Sequence, residues 1–215
     1  MHYVAIPGQV LTTALYLGLT KTQQARLAED IAEFVVKLQR QVPIELARSL
    51  GFATTTWPLN PDVLEKHARR LLPTSKVSFF NDFITNYTLM LSQPHAEVFL
   101  HHDLHGGNML VHPKTGRLQG VIDFNDTALD DPWQEFRLLK EIDMHLMDSV
   151  ADAYGIATKH GVDSEAVRLY YLATEFSRLA EIAQGEPTGH EIDDILARLV
   201  LYQKIGKARV VEGWE

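Results

Sequence analysis

The 215-residue chain is 46% hydrophobic and 22% charged, enough apolar side chain for a sizeable core in one large domain or two small ones. It contains no cysteine, which excludes a disulfide framework, thiolate catalysis and cysteine-ligated zinc, so a bound metal must sit on oxygen or imidazole. A formal net charge of −8 offers no footprint for nucleic acid, and no run reaches the ~18 apolar residues of a membrane span, so the chain reads as cytoplasmic, with neither nucleic acid nor membrane as partner.

No repeat, low-complexity tract or Gly/Ser linker divides the sequence, and residues 1–215 are expected to form a single domain. "HYVAI" reads as a short strand stopped by Pro7 and Gly8. From Thr20 to about Gln41 the spacing of Leu27, Ile31, Phe34, Val35 and Leu38 predicts an amphipathic helix. "PIELARSLG" predicts a second helix closing on Gly51, and "NPDVLEKHARRLL" a third, with Asn60 as cap and Pro61 at the first helical position. In "VSFFNDFITNYTLML", Phe79, Phe80, Phe83, Ile84 and Tyr87 fall on one helical face and read as core.

The pattern then shortens. "AEVFLHH", "NMLVH" and "RLQGVIDF" are brief apolar runs typical of strands, the last two joined by the turn residues "PKTG". After Asp131-Pro132, "WQEFRLLKEIDMHLMDSVADAYG", "SEAVRLYYLATEFSRLAEIAQG" and "HEIDDILARLVLYQKIGKA" return to helical spacing. The expected fold class is therefore α+β and mostly α-helical, with a small β element inside it.

That β element holds the chemistry. His101-His102-Asp103-Leu104-His105-Gly106-Gly107-Asn108 fits H-x-D-x-x-x-x-N, and the following strand ends in Asp123-Phe124-Asn125, close to D-F-G. Phosphoryl transfer needs an aspartate that orients the acceptor hydroxyl, and an asparagine and second aspartate whose hard oxygens hold Mg²⁺ on the nucleotide phosphates. Asp103, Asn108 and Asp123 supply these groups, and a hairpin through "PKTG" returns Asp123 to the loop carrying the other two. Either half alone is a weak signal; both in order, each at a strand end, make a strong one.

At these residues "HHDLHGGNMLV" and "GVIDFNDTALDDPWQEF" resemble the catalytic half of the aminoglycoside phosphotransferase and choline kinase-like enzymes, relatives of the protein kinases. "YVAIPGQVL" is similar to the end of the family's hinge, and "LAEDIAEFVVKLQRQVP" to its helix that ends in Leu-His before a proline, with Gln39 in place of the histidine. The resemblance implies a kinase-like large lobe: residues 1–8 a hinge remnant, 9–95 helical, 96–125 the catalytic loop and metal-binding hairpin, 126–215 helical. It makes Asp103 the catalytic base, Asn108 and Asp123 the Mg²⁺ and nucleotide-binding residues, His101 a brace for the loop, and places His105 near the transferred phosphate. ATP or GTP is the implied donor and a small-molecule hydroxyl the acceptor, with Asp126 a candidate contact to it. The sequence departs from the family at His102 and Asn125, where glycine is common, and at Glu135, where an aspartate usually supports the loop.

The family's β-rich lobe, with its glycine-rich loop and phosphate-gripping lysine, has no counterpart here, since Pro7 stands where "VAIP" would need lysine. A chain without it is expected to be inactive alone or to act with a homo-oligomer or partner over the bared surface. Two rival readings are a non-catalytic binding or assembly module, and a hydrolase whose metal is held by His101, His102 and His105. The second needs a helix to bring His101 and His105 to one face, against which Gly106-Gly107 argue. Ordinary hydrogen bonding is expected of His95, His112, His145 and His160, turn and cap chemistry of Asp131, core packing of Trp133, Tyr170 and Tyr171, and a solvated helix face of Glu175, Glu181, Asp193 and Asp194.

Overall fold

The structure is a computed structural model that describes residues 6–186 and 189–212, with residues 204–212 as backbone only. By packing, the chain divides into two compact units, Met1–Thr55 with Pro94–Tyr171, and Thr56–Gln93 with Leu172–Glu215.

The first unit is built on α2 (Lys21–Gln41), which follows a short helix α1 (Thr13–Gly18). Thr20 starts α2 through a capping box: its hydroxyl accepts from the Gln23 N–H, and the Gln23 side chain accepts from the Thr20 N–H. Leu27, Ile31 and Val35 are fully buried on one face, each stabilising the fold by about 1.5–3 kcal/mol. They share a core with Met109, Val111 and Val121 of the sheet and with Leu146 and Val150 of α6 (Met144–Thr158). A short α3 (Ile44–Ser49) adds Ala47 to a satellite cluster with Phe99 and Leu129.

Two small antiparallel sheets frame the sequence from 98 to 130. One has the order β1 (Gln9–Val10), β3 (Met109–Val111), β4 (Leu118–Val121), with Gln9 opposite Val111 and Met109 opposite Val121. The other pairs β2 (Val98–Leu100) with β5 (Ala128–Asp130), Phe99 opposite Leu129. The β3–β4 hairpin is pinned to α2 by Asp30, which accepts from Arg117 at 2.7 and 2.8 Å and from the Leu118 N–H at 3.0 Å. Chain therefore enters and leaves residues 101–108 from two different sheets, and β4 delivers residues 122–125 beside them.

Most helices and strands fall where the sequence places them, but α1 was not anticipated, and the helix expected over 60–72 is α-helical only to His67 and continues as a 3₁₀ stretch, Ala68–Leu71. β1 and β5, which pair with two of the expected strands, were not anticipated; the strand expected over 2–6 lies, except for Ile6, outside the described residues. The helix expected from Trp133 onward is two pieces, a 3₁₀ stretch Pro132–Glu141 and then α6, separated at Asp143, whose extended backbone and side chain cap α6 by accepting from the His145 N–H at 2.7 Å. Gln134 to Leu139 are all buried, so this stretch has no solvent face and runs through the interior instead of lying on it.

In the second unit α4 (Pro61–His67) begins as expected, with Asn60 accepting from the Val63 N–H at 3.1 Å. Phe80 and Phe83 of α5 (Val77–Leu91) meet Phe176 at ring distances of 4.9 and 4.7 Å. Phe176 lies on α7 (Ser164–Gln184), which is followed by α8 (Ile192–Glu212). Glu175 is not on a solvated face: it is fully buried and bound by Arg178 at 2.9 Å and by the fork of Arg198 at 2.9–3.1 Å. Pairing with two guanidinium groups is what allows a carboxylate there.

Candidate active site

Ile122 joins the two halves of the motif. Its N–H donates to the carbonyl of Asn108 at 3.0 Å, and its carbonyl lies 2.9 Å from Nε2 of His101. Residues 101, 108 and 122 are thereby held together, and Asp123 emerges next to the loop that carries Asp103. Nδ1 of His101 accepts from the Asp103 N–H at 3.3 Å, so the neutral Nε2–H tautomer satisfies both bonds. Burial lowers the His101 pKa and keeps it neutral, although the Ile122 carbonyl and the charges of Asp103 and Asp123 pull the other way. His101 is fully buried and stands edge-on to Phe124 at 4.6 Å.

Asn108 turns its amide toward Asp103, with Nδ2 donating to the carbonyl at 2.9 Å and to Oδ2 at 2.8 Å. Both of these bonds use the amide nitrogen. His105 Nδ1 accepts from the Gly107 N–H at 3.0 Å, while Nε2 lies 3.4 Å from Asp103 Oδ2. Burial, the largest influence, pushes the Asp103 carboxyl up, but His105, the Asn108 amide and Arg137 together outweigh it and hold it below the ordinary aspartate value. Asp103 is thus a carboxylate at neutral pH. Gly106 permits this geometry, because a Cβ there would stand 2.1 Å from the Leu11 carbonyl oxygen.

Behind the loop lie residues that sequence reasoning reached only partly. Glu135 Oε2 accepts from the N–H of His101 at 2.9 Å and of His102 at 3.5 Å, replacing with one carboxylate two backbone bonds that a turning chain loses. Burial pushes the Glu135 carboxyl up to about 7, against the pull of Arg137 and of those two N–H groups. Arg137, which the motif did not point to, is buried and donates to the carbonyls of His102 at 2.6 Å and Gln134 at 2.8 Å. His102 has φ = 69°, the left-handed region, which accounts for a preference for glycine at this place; its ring packs inward, Nε2 3.2 Å from Gln134 Oε1.

Asp123 is also left-handed, φ = 63°, and Asn125 Nδ2 donates to its Oδ1 at 2.7 Å. Asp126 is exposed in the turn that follows, outside this hydrogen-bonded group. The Asn108 amide oxygen and the Asp123 carboxylate are hard donors, the chemistry Mg²⁺ takes when substrate phosphates and water supply its remaining ligands. The histidines serve other bonds: both ring nitrogens of His101 and Nδ1 of His105 are engaged within the loop, and neither residue lies on an α-helix. Among the described residues no group of three or more His, Cys, Asp or Glu side chains is placed to hold a metal ion, and no helix is long and apolar enough to cross a membrane.

Several solved structures share this fold. The GDP complex of a variant of aminoglycoside 2'-phosphotransferase-IIIa is 23% identical with a TM-score of 0.77, over 96% of this chain and 69% of that one. A GDP and kanamycin complex of a related aminoglycoside phosphotransferase is 22% identical with a TM-score of 0.73, covering 93% and 68%. Macrolide 2'-phosphotransferase type I is more distant, at 21% identity and a TM-score of 0.56, covering 82% and 58%. No curated protein matches the sequence. The family model described as "phosphotransferase enzyme family" matches residues 3–170, a stretch that contains every group of the loop and hairpin just described, and the chain belongs to that family.

Proposed function

We propose that the chain takes part in transfer of the γ-phosphoryl group of ATP or GTP to a hydroxyl of a small molecule. The observation that supports this reading is the bonded set Asp103, Asn108 and Ile122, which holds the Asp103 carboxylate against the Asn108 amide and delivers Asp123 to the same loop. Relatives crystallised with GDP, with ATP and with kanamycin or streptomycin support a nucleotide donor and a polyhydroxylated acceptor.

Asp103, kept ionised by His105, Asn108 and Arg137, accepts the hydroxyl hydrogen bond and aims the oxygen. A carboxylate of lowered pKa is a weak base, which suits a loose transition state in which the hydroxyl proton leaves late. His101 and Glu135 hold the backbone that leads into Asp103, and the Asn108 amide holds its carbonyl, so the carboxylate needs no rearrangement when the acceptor arrives. His105 borders the same carboxylate and can meet phosphate charge on that side. Asn108 and Asp123 would hold Mg²⁺, which neutralises charge on the phosphates when bound.

The test is phosphate transfer from labelled Mg·ATP and Mg·GTP to aminoglycoside, macrolide and simpler hydroxyl acceptors, with Asp103→Asn beside the parent. Turnover is expected to fall by about 10²–10⁴ with nucleotide affinity unchanged. Measurable and equal turnover in the two proteins rejects Asp103 as the acceptor-orienting group, and no turnover in the parent with any acceptor rejects transfer by this chain alone.

A further inference from the structure

Among the described residues three buried side-chain atoms lack a hydrogen-bond partner, and two of them are complementary: Gln39 Nε2 is a donor and Glu135 Oε1 an acceptor. Each is costly in isolation, because a buried polar group that gives up water for nothing loses its full desolvation energy. Glu135 is 1% exposed. Its other oxygen already holds the His101 and His102 amides, so whatever meets Oε1 acts on the loop.

Tyr154 touches Gln39 and the chain neighbour of Glu135. Its hydroxyl donates to Gln39 Oε1 at 2.7 Å, which fixes the opposite end of that amide as the donor. Its ring stands edge-on to Phe136, the neighbour of Glu135, at 5.1 Å, and to Trp133 at 6.3 Å. Burial chiefly, and the Glu135 charge with it, raise the Tyr154 pKa against the effect of Gln39 and Arg40, so the phenol is within electrostatic reach of the carboxylate. A buried donor and a buried acceptor, each without a hydrogen-bond partner among the described residues, are groups of the kind that a buried water satisfies.

We propose that one ordered water joins Gln39 Nε2 to Glu135 Oε1, making Gln39 and Tyr154 positioning residues for the backbone of His101 and His102. The path runs from the Tyr154 hydroxyl to Gln39 Oε1, from Gln39 Nε2 through the water to Glu135 Oε1, and from Glu135 Oε2 to the two amides. It links α2 and α6 to the loop through Glu135.

Amide hydrogen exchange at His101 and His102, followed by NMR on the full chain, tests the link. The readout needs no phosphoryl transfer, so it stands apart from the function proposed above. In Gln39→Met, exchange at these two amides is expected to quicken by about tenfold or more, with the α2 amides unchanged. Gln39→His, which keeps one ring N–H donor and one acceptor, is expected to restore slow exchange. Tyr154→Phe serves if Gln39→Met does not fold, and should shift the same two amides in the same direction. Unchanged exchange in the folded variants overturns the proposal, as does a high-resolution structure with a dry gap or a direct Gln39–Glu135 bond.

Discussion

A non-glycine residue in the left-handed region stores about 1–2 kcal/mol, and two of the three in the described chain, His102 and Asp123, lie in the candidate site. At His102 the surroundings offset that cost: Arg137 takes its carbonyl, Glu135 its N–H, and Gln134 its ring. Glu135 carries a measurable signature of this arrangement. Its pKa is raised from 4.5 to about 7 in the folded chain, so between those values the folded state holds the proton that the unfolded state releases. Stability from this group is therefore fully present below pH 4.5 and is lost as pH rises through 7, amounting to at most about 3 kcal/mol. Glu135→Gln cannot ionise, and denaturant midpoints measured from pH 5 to 8 should decline less in the variant than in the parent. Parallel pH curves would show that the carboxyl does not titrate in this range.

At the level of elements, what could be read from the sequence was whatever a local pattern specifies. α2 was legible from Leu27, Ile31 and Val35 and from Thr20, and α4 from Asn60-Pro61, because caps and apolar spacing lie within a few residues of each other. Asp103, Asn108 and Asp123 were legible as a spacing; the roles of Arg137, Gln134 and the Ile122 backbone were not, since they arise only when distant segments pack. β5 went unread because "ALD" has two apolar residues and owes its strand to pairing with β2. The break at Asp143 was hidden by a helical spacing that continued across it, although an aspartate before "MHLM" is itself a cap signal. That cap has a consequence of its own. Asp143→Ala removes the acceptor for the His145 N–H and should cost about 1 kcal/mol, seen as a lower denaturant midpoint with an unchanged slope. Asp143→Asn, which keeps the acceptor, should retain most of it.

Across the whole molecule, the two compact units share one helix. The division falls after Tyr171, within α7, which runs unbroken from Ser164 to Gln184. In the first unit Tyr170 bonds Asp131 at 3.1 Å, and in the second Phe176 sits among Phe79, Phe80 and Phe83. Unfolding either unit alone would end α7 in mid-helix, leaving up to four carbonyl or N–H groups without partners and a nucleus to be re-formed at a new boundary. On this ground we expect the single domain read from the sequence to behave as one cooperative unit. Trp133 reports on the first unit and Trp57 on the second, so two variants with one of these tryptophans each, both carrying Trp214→Phe, separate the signals. Both should show one transition at the same denaturant midpoint. Phe176→Ala, which empties the centre of the aromatic cluster at a cost of about 3–5 kcal/mol, should then lower both midpoints equally. A shift seen by Trp57 while Trp133 holds its midpoint would mean that the units unfold separately and that the candidate site, which lies wholly in the first, is stable without the second.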